Sequence, residues 1–305
     1  KTSAAIEQPY DVYATAADFG LSSNGTAEAK SYFASDLCVS EDVAIGTDST
    51  DSQVAEGAGT FNLETNTVVY AKNLYERLYP ASTTKILTAY IALKYCDDLD
   101  AMVTVSENAV NQASDSSVCN LKAGDVIRLR DLLYGLMLRS GNDAAVAIAE
   151  YISGDVDSFA ALMNQEAAAM GATRSHFVNP NGLPDENHYT CVYDMYLIFS
   201  NAIKNDTFVS IIGTTSYDVT YTDASGEAVT HTWENTNQYL TGNATTPDGF
   251  QIVGGKTGTT GEAGYCLVLY SYNPSGQPII SIVFKADGKS NLYLLMNEML
   301  QGFAI

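Results

Sequence analysis

The stretch PASTTKILTAYIALKY, residues 80–95, joins a helix start signal to a serine and a lysine three residues apart. Pro80 precedes an apolar run with helical spacing, which predicts a helix to about Tyr95. A helix places Ser82 and Lys85 on one face, about one turn apart. A lysine can take the proton of a serine nucleophile if burial or a second cation keeps it neutral. The N–H groups of a helix start can also stabilise a developing oxyanion.

This pattern alone is weak evidence of catalysis. Ser-x-x-Lys arises by chance roughly once per chain of ordinary composition. A capping serine followed by a surface lysine has the same spacing. The hypothesis therefore depends on further elements downstream.

The first of these elements is Ser140-Gly141-Asn142, which interrupts a helical pattern at a cost in helix stability. At a loop corner, the hydroxyl of Ser140 can relay a proton to a leaving amine. The amide of Asn142 can hold a substrate amide. Taken by itself, the tripeptide also fits an ordinary turn between two helices.

The second element is Lys256-Thr257-Gly258-Thr259, on a strand-like run that we expect at the inner edge of an active site. Lys256 supplies a positive charge, and the hydroxyls of Thr257 and Thr259 can bind a carboxylate. Gly258 allows the backbone to approach a substrate closely. The alternative is a glycine-rich strand with a bulge and a solvent-facing lysine.

The periodicity of the remaining sequence predicts an α+β domain over residues 41–305, behind a polar N-terminal extension of residues 1–40. Strand-like runs near both ends of the domain enclose a mainly helical region from 97 to about 204. This order predicts an antiparallel sheet covered by helices, with an inserted helical subdomain. The predicted strands are 57–63, 68–72, 217–222, 251–259, 264–272 and 279–285, and the predicted helices are 80–95, 131–140, 143–152, 158–170, 194–203 and 290–302.

Composition excludes several classes of partner. The 305 residues include 15 Lys and Arg against 36 Asp and Glu, and the formal net charge of -21 disfavours nucleic acid and anionic membrane surfaces. No run approaches the ~18 apolar residues of a membrane helix. The first residues lack the apolar core of a signal peptide. We therefore expect a mature or trimmed form, with no membrane anchor visible in this chain.

The five cysteines form no C-x-x-C pair, and an odd number cannot all pair within one chain. Cys96 and Cys119 are candidates for a disulfide. Cys191 and Cys266 lie in apolar surroundings, where we expect buried thiols that act as small hydrophobes. Cysteine usage leaves the redox compartment open.

The histidines lack the spacing of a metal site. His176, His188 and His231 form no His-x-x-x-His pair or other short ligand pattern. We interpret His176 and His188 as structural members of the loop that they frame. The sequence predicts no metal and no cofactor.

The three elements follow one another at intervals of 58 residues, from Ser82 to Ser140, and 116 residues, from Ser140 to Lys256. This set is characteristic of penicillin-binding proteins and class A β-lactamases. Over about residues 40–305 the chain resembles the low-molecular-mass D-alanyl-D-alanine carboxypeptidase family of penicillin-binding proteins, which have a β-lactamase/transpeptidase-like fold. Further stretches that resemble the family are 176–183, 188–190, 235–237 and 262–266.

The resemblance implies a catalytic role for each matching residue. Ser82 would attack the carbonyl between two D-alanines of a peptidoglycan stem peptide, with Lys85 as base. Ser140 and Lys256 would move the proton to the departing D-alanine, and Asn142 would hold the peptide. The two lysines would lower each other's pKa, which suits a lysine base.

The resemblance also implies how substrates bind. The backbone N–H groups of Ser82 and Thr259 would form the oxyanion hole, and Thr257 and Gly258 would line the substrate site. β-Lactam antibiotics would be trapped as acyl-enzymes. Many family members carry an arginine shortly after the last strand, thought to bind the terminal carboxylate, where this chain has Lys289. The implied location is extracytoplasmic, in the cell envelope or secreted.

Other functions predict different features. A class A β-lactamase needs a Glu-x-x-Leu-Asn stretch to activate the deacylating water, and the sequence between Asn142 and Lys256 contains none. A zinc D,D-peptidase needs metal-ligand spacing. A non-catalytic β-lactam sensor or wall-binding module has no need of an activated serine. Transpeptidase activity stays open because the shape of the cleft, not a motif, selects the acceptor.

Overall fold

The computed structural model describes residues 36–305, so the predicted extension of residues 1–40 lies almost entirely outside the described part. The end of that segment contacts the folded domain, since Cys38 is fully buried and its N–H donates to Tyr196 Oη over 2.9 Å. Within the described residues, no helix has the length and apolar character needed to cross a membrane.

The centre of the molecule is an antiparallel five-stranded sheet in the order β2-β1-β9-β8-β7. Both ends of the domain contribute to it, as predicted, because β1 pairs with β9 from Ala55↔Ala286 to Asn62↔Ile279. Strand β7 forms one edge of the sheet. The strands are β1 (Ala55–Asn62), β2 (Thr67–Lys72), β7 (Gln251–Thr260), β8 (Gly264–Tyr272) and β9 (Pro278–Ala286).

Both faces of this sheet are covered, so β8 and β9 are apolar almost throughout. Leu267 and Leu269 pack with helix α9 (Lys289–Phe303) on one face. Val268 and Tyr270 point to the other face and join the larger core. This alternation is what a strand between two helical layers requires.

The inserted subdomain is helical, as predicted, and carries a second sheet of four strands in the order β3-β4-β5-β6. Its helices are α1 (Lys85–Tyr95), α2 (Glu107–Val110), α3 (Leu129–Tyr134), α4 (Asn142–Ser153), α5 (Val156–Ala169), α6 (Val192–Ala202), α7 (Asp206–Ile212) and α8 (Gln238–Thr241). Its strands are β3 (Met102–Thr104), β4 (Val126–Arg128), β5 (Ser216–Thr222) and β6 (Ala228–Glu234).

Periodicity did not predict three strands of this second sheet. β3 and β4 have three residues each, which is too short to show an alternation. In β6, Trp233 is the only buried residue, so the strand has almost no apolar face. Pairing with β5, more than its own pattern, defines this strand.

The helix predicted over 131–140 is divided in two. Helix α3 ends at Tyr134, and residues 135–139 form a π-helical turn. The helical pattern ends at Ser140, whose backbone is left-handed with φ 62° and ψ 33°. π-turns and left-handed non-glycine residues cluster at functional sites.

The candidate disulfide between Cys96 and Cys119 is not formed, because all five cysteines are free. Cys119 is fully buried, and its sulfur lies where side chains on Gly135 and Gly141 would otherwise be. Cys96 ends helix α1 and is only partly buried. Cys191 and Cys266 are fully buried, as predicted.

Candidate active site

Ser82 lies in a tight 3-10 turn, Ala81–Thr84, directly before helix α1. The residue before it, Ala81, has a left-handed backbone with φ 46°. Gly182, on a neighbouring loop, packs so closely that a Cβ there would stand 1.9 Å from the carbonyl oxygen of Ala81. Since its φ is +87°, Gly182 is required for both conformation and space. The turn that carries Ser82 is therefore held tightly from behind.

Lys85 is fully buried and makes three hydrogen bonds, all to uncharged oxygens. Its Nζ lies 2.9 Å from Ser82 Oγ, 2.8 Å from Asn142 Oδ1 and 2.7 Å from the carbonyl oxygen of Asn181. A neutral amine has two N–H groups and one lone pair. Donation to Asn142 and Asn181 leaves that lone pair for the hydroxyl proton of Ser82.

Burial is the main reason that this amine favours its neutral form. It lowers the pKa of Lys85 well below that of a free lysine, and the charge of Lys256 lowers it further. Burial alone lowers the pKa of Lys256 to about 7. The charge of Lys256 thus contributes less than desolvation to the lowered pKa of Lys85. For Lys256, desolvation is the cause of the lowered pKa.

The second serine and the second lysine also meet. Lys256 Nζ lies 3.1 Å from Ser140 Oγ and donates to the carbonyl oxygen of Thr257 over 2.9 Å. The left-handed backbone of Ser140 begins the turn into α4 and brings its hydroxyl to this lysine. Ser140 and Lys256 therefore form a second hydroxyl–amine pair.

Strand β7 approaches Ser82 at Gly258. A Cβ on Gly258 would stand 3.0 Å from both Ser82 N and the carbonyl oxygen of Pro80. The absence of a side chain on Gly258 thus allows strand β7 to lie directly against the turn that carries Ser82, and its predicted approach to a substrate stays a prediction. The neighbouring hydroxyl of Thr257 lies 2.6 Å from that of Thr236. Thr236 had no assigned role in the sequence, although it belongs to the 235–237 stretch that resembles the family.

Two cavities meet at Ser82 and Thr259. The Lys289 cavity, of about 220 Å³, is lined by Ser82, Ser117, Ser140, Thr236, Thr257, Gly258, Thr259, Tyr265, Cys266, Lys289, Leu292 and Tyr293. The Asn142 cavity, of about 420 Å³, is lined by Ser82, Asp115, Ser116, Ser117, Asn142, Asn181, Gly182, Leu183, Pro184, Thr259, Thr260, Gly261 and Glu262. The structure thus brings every predicted site residue to this cleft, either on its wall or hydrogen-bonded to the wall.

Two positioning residues, Asn181 and Asp143, had no role in the sequence analysis. Asn181 accepts a hydrogen bond from Lys85, but it does so through its backbone, which sequence patterns do not report. Asp143 accepts hydrogen bonds from the N–H groups of Cys119, Leu121 and Ala144, and so anchors the start of α4. Only its place directly after Asn142 could have indicated it.

The histidines support the loop behind the site, as predicted. His188 is buried, with one ring nitrogen 2.9 Å from Thr84 Oγ1, and the other accepts from Val178 N–H. Burial lowers the pKa of His188 to about 4. His176 pairs with Tyr189 through a backbone bridge. His188 is therefore neutral, and it connects this loop to the turn that carries Ser82.

Comparison with known proteins gives a consistent result. A family model described as D-alanyl-D-alanine carboxypeptidase matches residues 46–288. The chain is 34% identical to the D-alanyl-D-alanine carboxypeptidase DacF of Bacillus subtilis, over 81% of this chain and 61% of that protein. It is also 34% identical to a Streptomyces D-alanyl-D-alanine carboxypeptidase (strain K15), over 82% of this chain and 88% of that protein. The chain thus spans less than two thirds of the Bacillus relative.

Solved structures share the fold. The Streptomyces K15 DD-transpeptidase superimposes with a TM-score of 0.73 at 33% identity, covering 80% of this chain and 96% of that one. The D-alanyl-D-alanine carboxypeptidase DacD of Francisella tularensis gives a TM-score of 0.73 at 28% identity, covering 86% of this chain and 73% of that one. The predicted α+β fold is confirmed. The chain therefore belongs to the D-alanyl-D-alanine carboxypeptidase family of peptidases.

Proposed function

We propose that this protein removes the terminal D-alanine from peptidoglycan stem peptides through an acyl-enzyme on Ser82. The observation that carries the proposal is the buried contact between Ser82 Oγ and Lys85 Nζ, in which the other partners of the amine are uncharged oxygens. No carboxylate is hydrogen-bonded to this amine, and burial outweighs the weaker attraction of Asp143, so Lys85 is suited to receive the hydroxyl proton as Oγ attacks.

In the acylation step, Ser82 Oγ bonds to the carbonyl carbon of the penultimate D-alanine, and its proton passes to Lys85. The backbone N–H groups of Ser82 and Thr259 hold the resulting oxyanion. Collapse of this intermediate breaks the C–N bond. The departing amine takes a proton through Ser140 from Lys256, whose pKa of about 7 suits a group that donates at neutral pH. Water then releases the acyl group.

The Lys289 cavity is the proposed site of the departing D-alanine. Lys289 supplies a positive charge for the free carboxylate, and Thr257 and Thr259 supply hydroxyls. Leu292 and Tyr293 form an apolar wall for the methyl group. A free carboxylate at this end favours carboxypeptidase activity, because an internal peptide bond would bring no anion to Lys289.

The same chemistry implies that β-lactams acylate Ser82, since their strained amide presents a similar carbonyl. Peptidoglycan lies outside the cytoplasmic membrane, and β-lactams act there, so we also propose an extracytoplasmic location. The names of the relatives support the proposed carboxypeptidase activity, whereas one solved relative is called a DD-transpeptidase. The acceptor that resolves the acyl-enzyme, water or an amine, therefore needs a direct test.

The test is intact-mass spectrometry of wild type and Ser82→Ala during exposure to benzylpenicillin, paired with an assay of D-alanine release from a D-Ala-D-Ala peptide. We expect one stable adduct on wild type alone, together with D-alanine release. An adduct that disappears within seconds while the drug is consumed would indicate a β-lactamase. The absence of both an adduct and D-alanine release would refute the proposal, and a release rate that rises with added amine would assign transpeptidation.

A further inference from the structure

The two cavities at Ser82 have opposite charge. Lys289 lines the first cavity, and no aspartate or glutamate among residues 36–305 lines it. Asp115 and Glu262 line the second, and within the same residues no lysine or arginine does. A ligand that crosses Ser82 therefore meets a cation at one end and two carboxylates at the other.

The two carboxylates have no counter-charge in the protein. Both side chains are exposed, and among residues 36–305 neither forms an ion pair or a hydrogen bond. They come from different parts of the fold: Asp115 belongs to the segment after α2, and Glu262 belongs to the turn between β7 and β8. Tertiary structure alone places them on one cavity, so local chain geometry does not account for the pair.

Two buried amides point to a ligand in the same cavity. Asn142 and Asn181 line the Asn142 cavity and are more than nine-tenths buried, with 4% and 5% of their surface exposed. Asn142 Oδ1 accepts a hydrogen bond from Lys85 Nζ, and Asn181 Oδ1 accepts one from Leu183 N–H. Within the described chain, neither Nδ2 has a hydrogen-bond partner. Each Nδ2 keeps some exposure to the cavity, so it can donate to a carbonyl oxygen of a bound peptide.

We propose that this cavity selects stem peptides in which the residue before the D-alanine pair carries a free amino group, with Asp115 and Glu262 binding the ammonium. The inference rests on the proposed function and adds substrate choice to it. With the terminal carboxylate at Lys289 and the scissile carbonyl at Ser82, the rest of the peptide must run into the Asn142 cavity. The third residue from the end is then the first whose long side chain can reach the two carboxylates.

The test compares two tripeptides, Nα-acetyl-L-lysyl-D-alanyl-D-alanine and the same peptide with its ε-amine acetylated. Two partly exposed ion pairs should make kcat/KM for the free amine about threefold to tenfold higher in wild type at low salt. The double variant Asp115→Asn with Glu262→Gln should bring this ratio below about twofold. The matched control is Asp248→Asn with Glu64→Gln, which removes two exposed charges that line neither cavity and should keep the wild-type ratio.

The outcomes separate this inference from the function on which it rests. If wild type releases no D-alanine from either peptide, the proposed function fails. Equal release from both peptides by wild type, or an unchanged ratio in the Asp115/Glu262 double variant, overturns the charge inference and leaves the carboxypeptidase activity in place. A loss of ratio in the control variant as well would assign the effect to net charge and also overturn the inference.

Discussion

The amine of Lys85 is enclosed by the hydroxyl of Ser82, the amide oxygen of Asn142 and the backbone oxygen of Asn181. At the residue scale, the reactivity of the serine depends on the absence of a carboxylate among these three partners. A carboxylate in place of any of the three would hold the lysine as an ammonium and leave no lone pair for the serine proton. Burial without a carboxylate in hydrogen-bond contact is therefore the chemical basis of the proposed activation.

Replacement of Lys85 tests that basis. We expect Lys85→Ala to slow acylation by benzylpenicillin about 10²–10⁴-fold, because a positioned base contributes in that range. The measurement is the rate of adduct formation by mass spectrometry. Lys85→Met, which keeps the side-chain volume, should lose as much and so separate chemistry from packing. Lys122→Ala, an exposed lysine outside both cavities, is the control. Near-normal acylation in Lys85→Met would remove lysine from the base role.

At the element scale, the 3-10 turn that carries Ser82 is held between strand β7 and the loop that contains Gly182. Gly258 touches the front of the turn, where a Cβ would be tightly crowded, and Gly182 touches its back at a distance that excludes a side chain. His188 ties the same loop to Thr84. The position of the serine is thus set by contacts from elements distant in sequence.

Gly182→Ala should therefore displace the turn. The added Cβ meets the carbonyl oxygen of Ala81 in a left-handed backbone, and we expect a loss of about 2–4 kcal/mol in the free energy of unfolding. Acylation should slow as well. Gly226→Ala is a matched control, since its φ is +89° but nothing lies within 4 Å of the added atom. Urea unfolding of both variants gives the comparison, and equal losses would show that backbone conformation, not collision, is responsible.

At the scale of the whole molecule, the cleft lies where the five-stranded sheet meets the helical subdomain. The sheet supplies Lys256 and the subdomain supplies Lys85 and Ser140, so two lysines are buried in one interface. A buried amine costs stability whenever the unfolded chain would hold its proton and the folded chain would not. The site is thus expected to destabilise the fold that supports it.

The cost can be measured through Lys256, whose pKa falls from about 10.4 in the unfolded chain to about 7 when folded. Between these values the unfolded chain binds more protons, so this group makes stability rise with pH. Below about pH 7 its full cost remains. We expect Lys256→Met to be more stable than wild type by about 1–3 kcal/mol at pH 7, with the difference shrinking toward pH 10. Urea unfolding at both pH values checks this, with Lys122→Met as control, and a constant difference would contradict it.

Sequence patterns alone predicted the fold class, the central strands and the residues that meet in the cleft. Ser82 and Lys85 meet because a helical turn brings i and i+3 together, and the apolar runs of β8 and β9 require helices on both faces. The spacing of residues along the chain predicts such local geometry and burial directly. The same reasoning missed β3, β4 and β6, because short or exposed strands are defined by their partners and not by their own pattern.

Other features depend on contacts between distant parts of the chain, which sequence patterns do not report. The π-turn before Ser140, the separation of Cys96 from Cys119, and the roles of Asn181 and Thr236 follow from contacts across the chain. The charge of the cleft is the clearest case, since Asp115, Glu262 and Lys289 are remote from one another in sequence and no pattern in the sequence links the three. Electrostatic fields act through space, so an asymmetry between two cavities exists only after folding brings these side chains to Ser82.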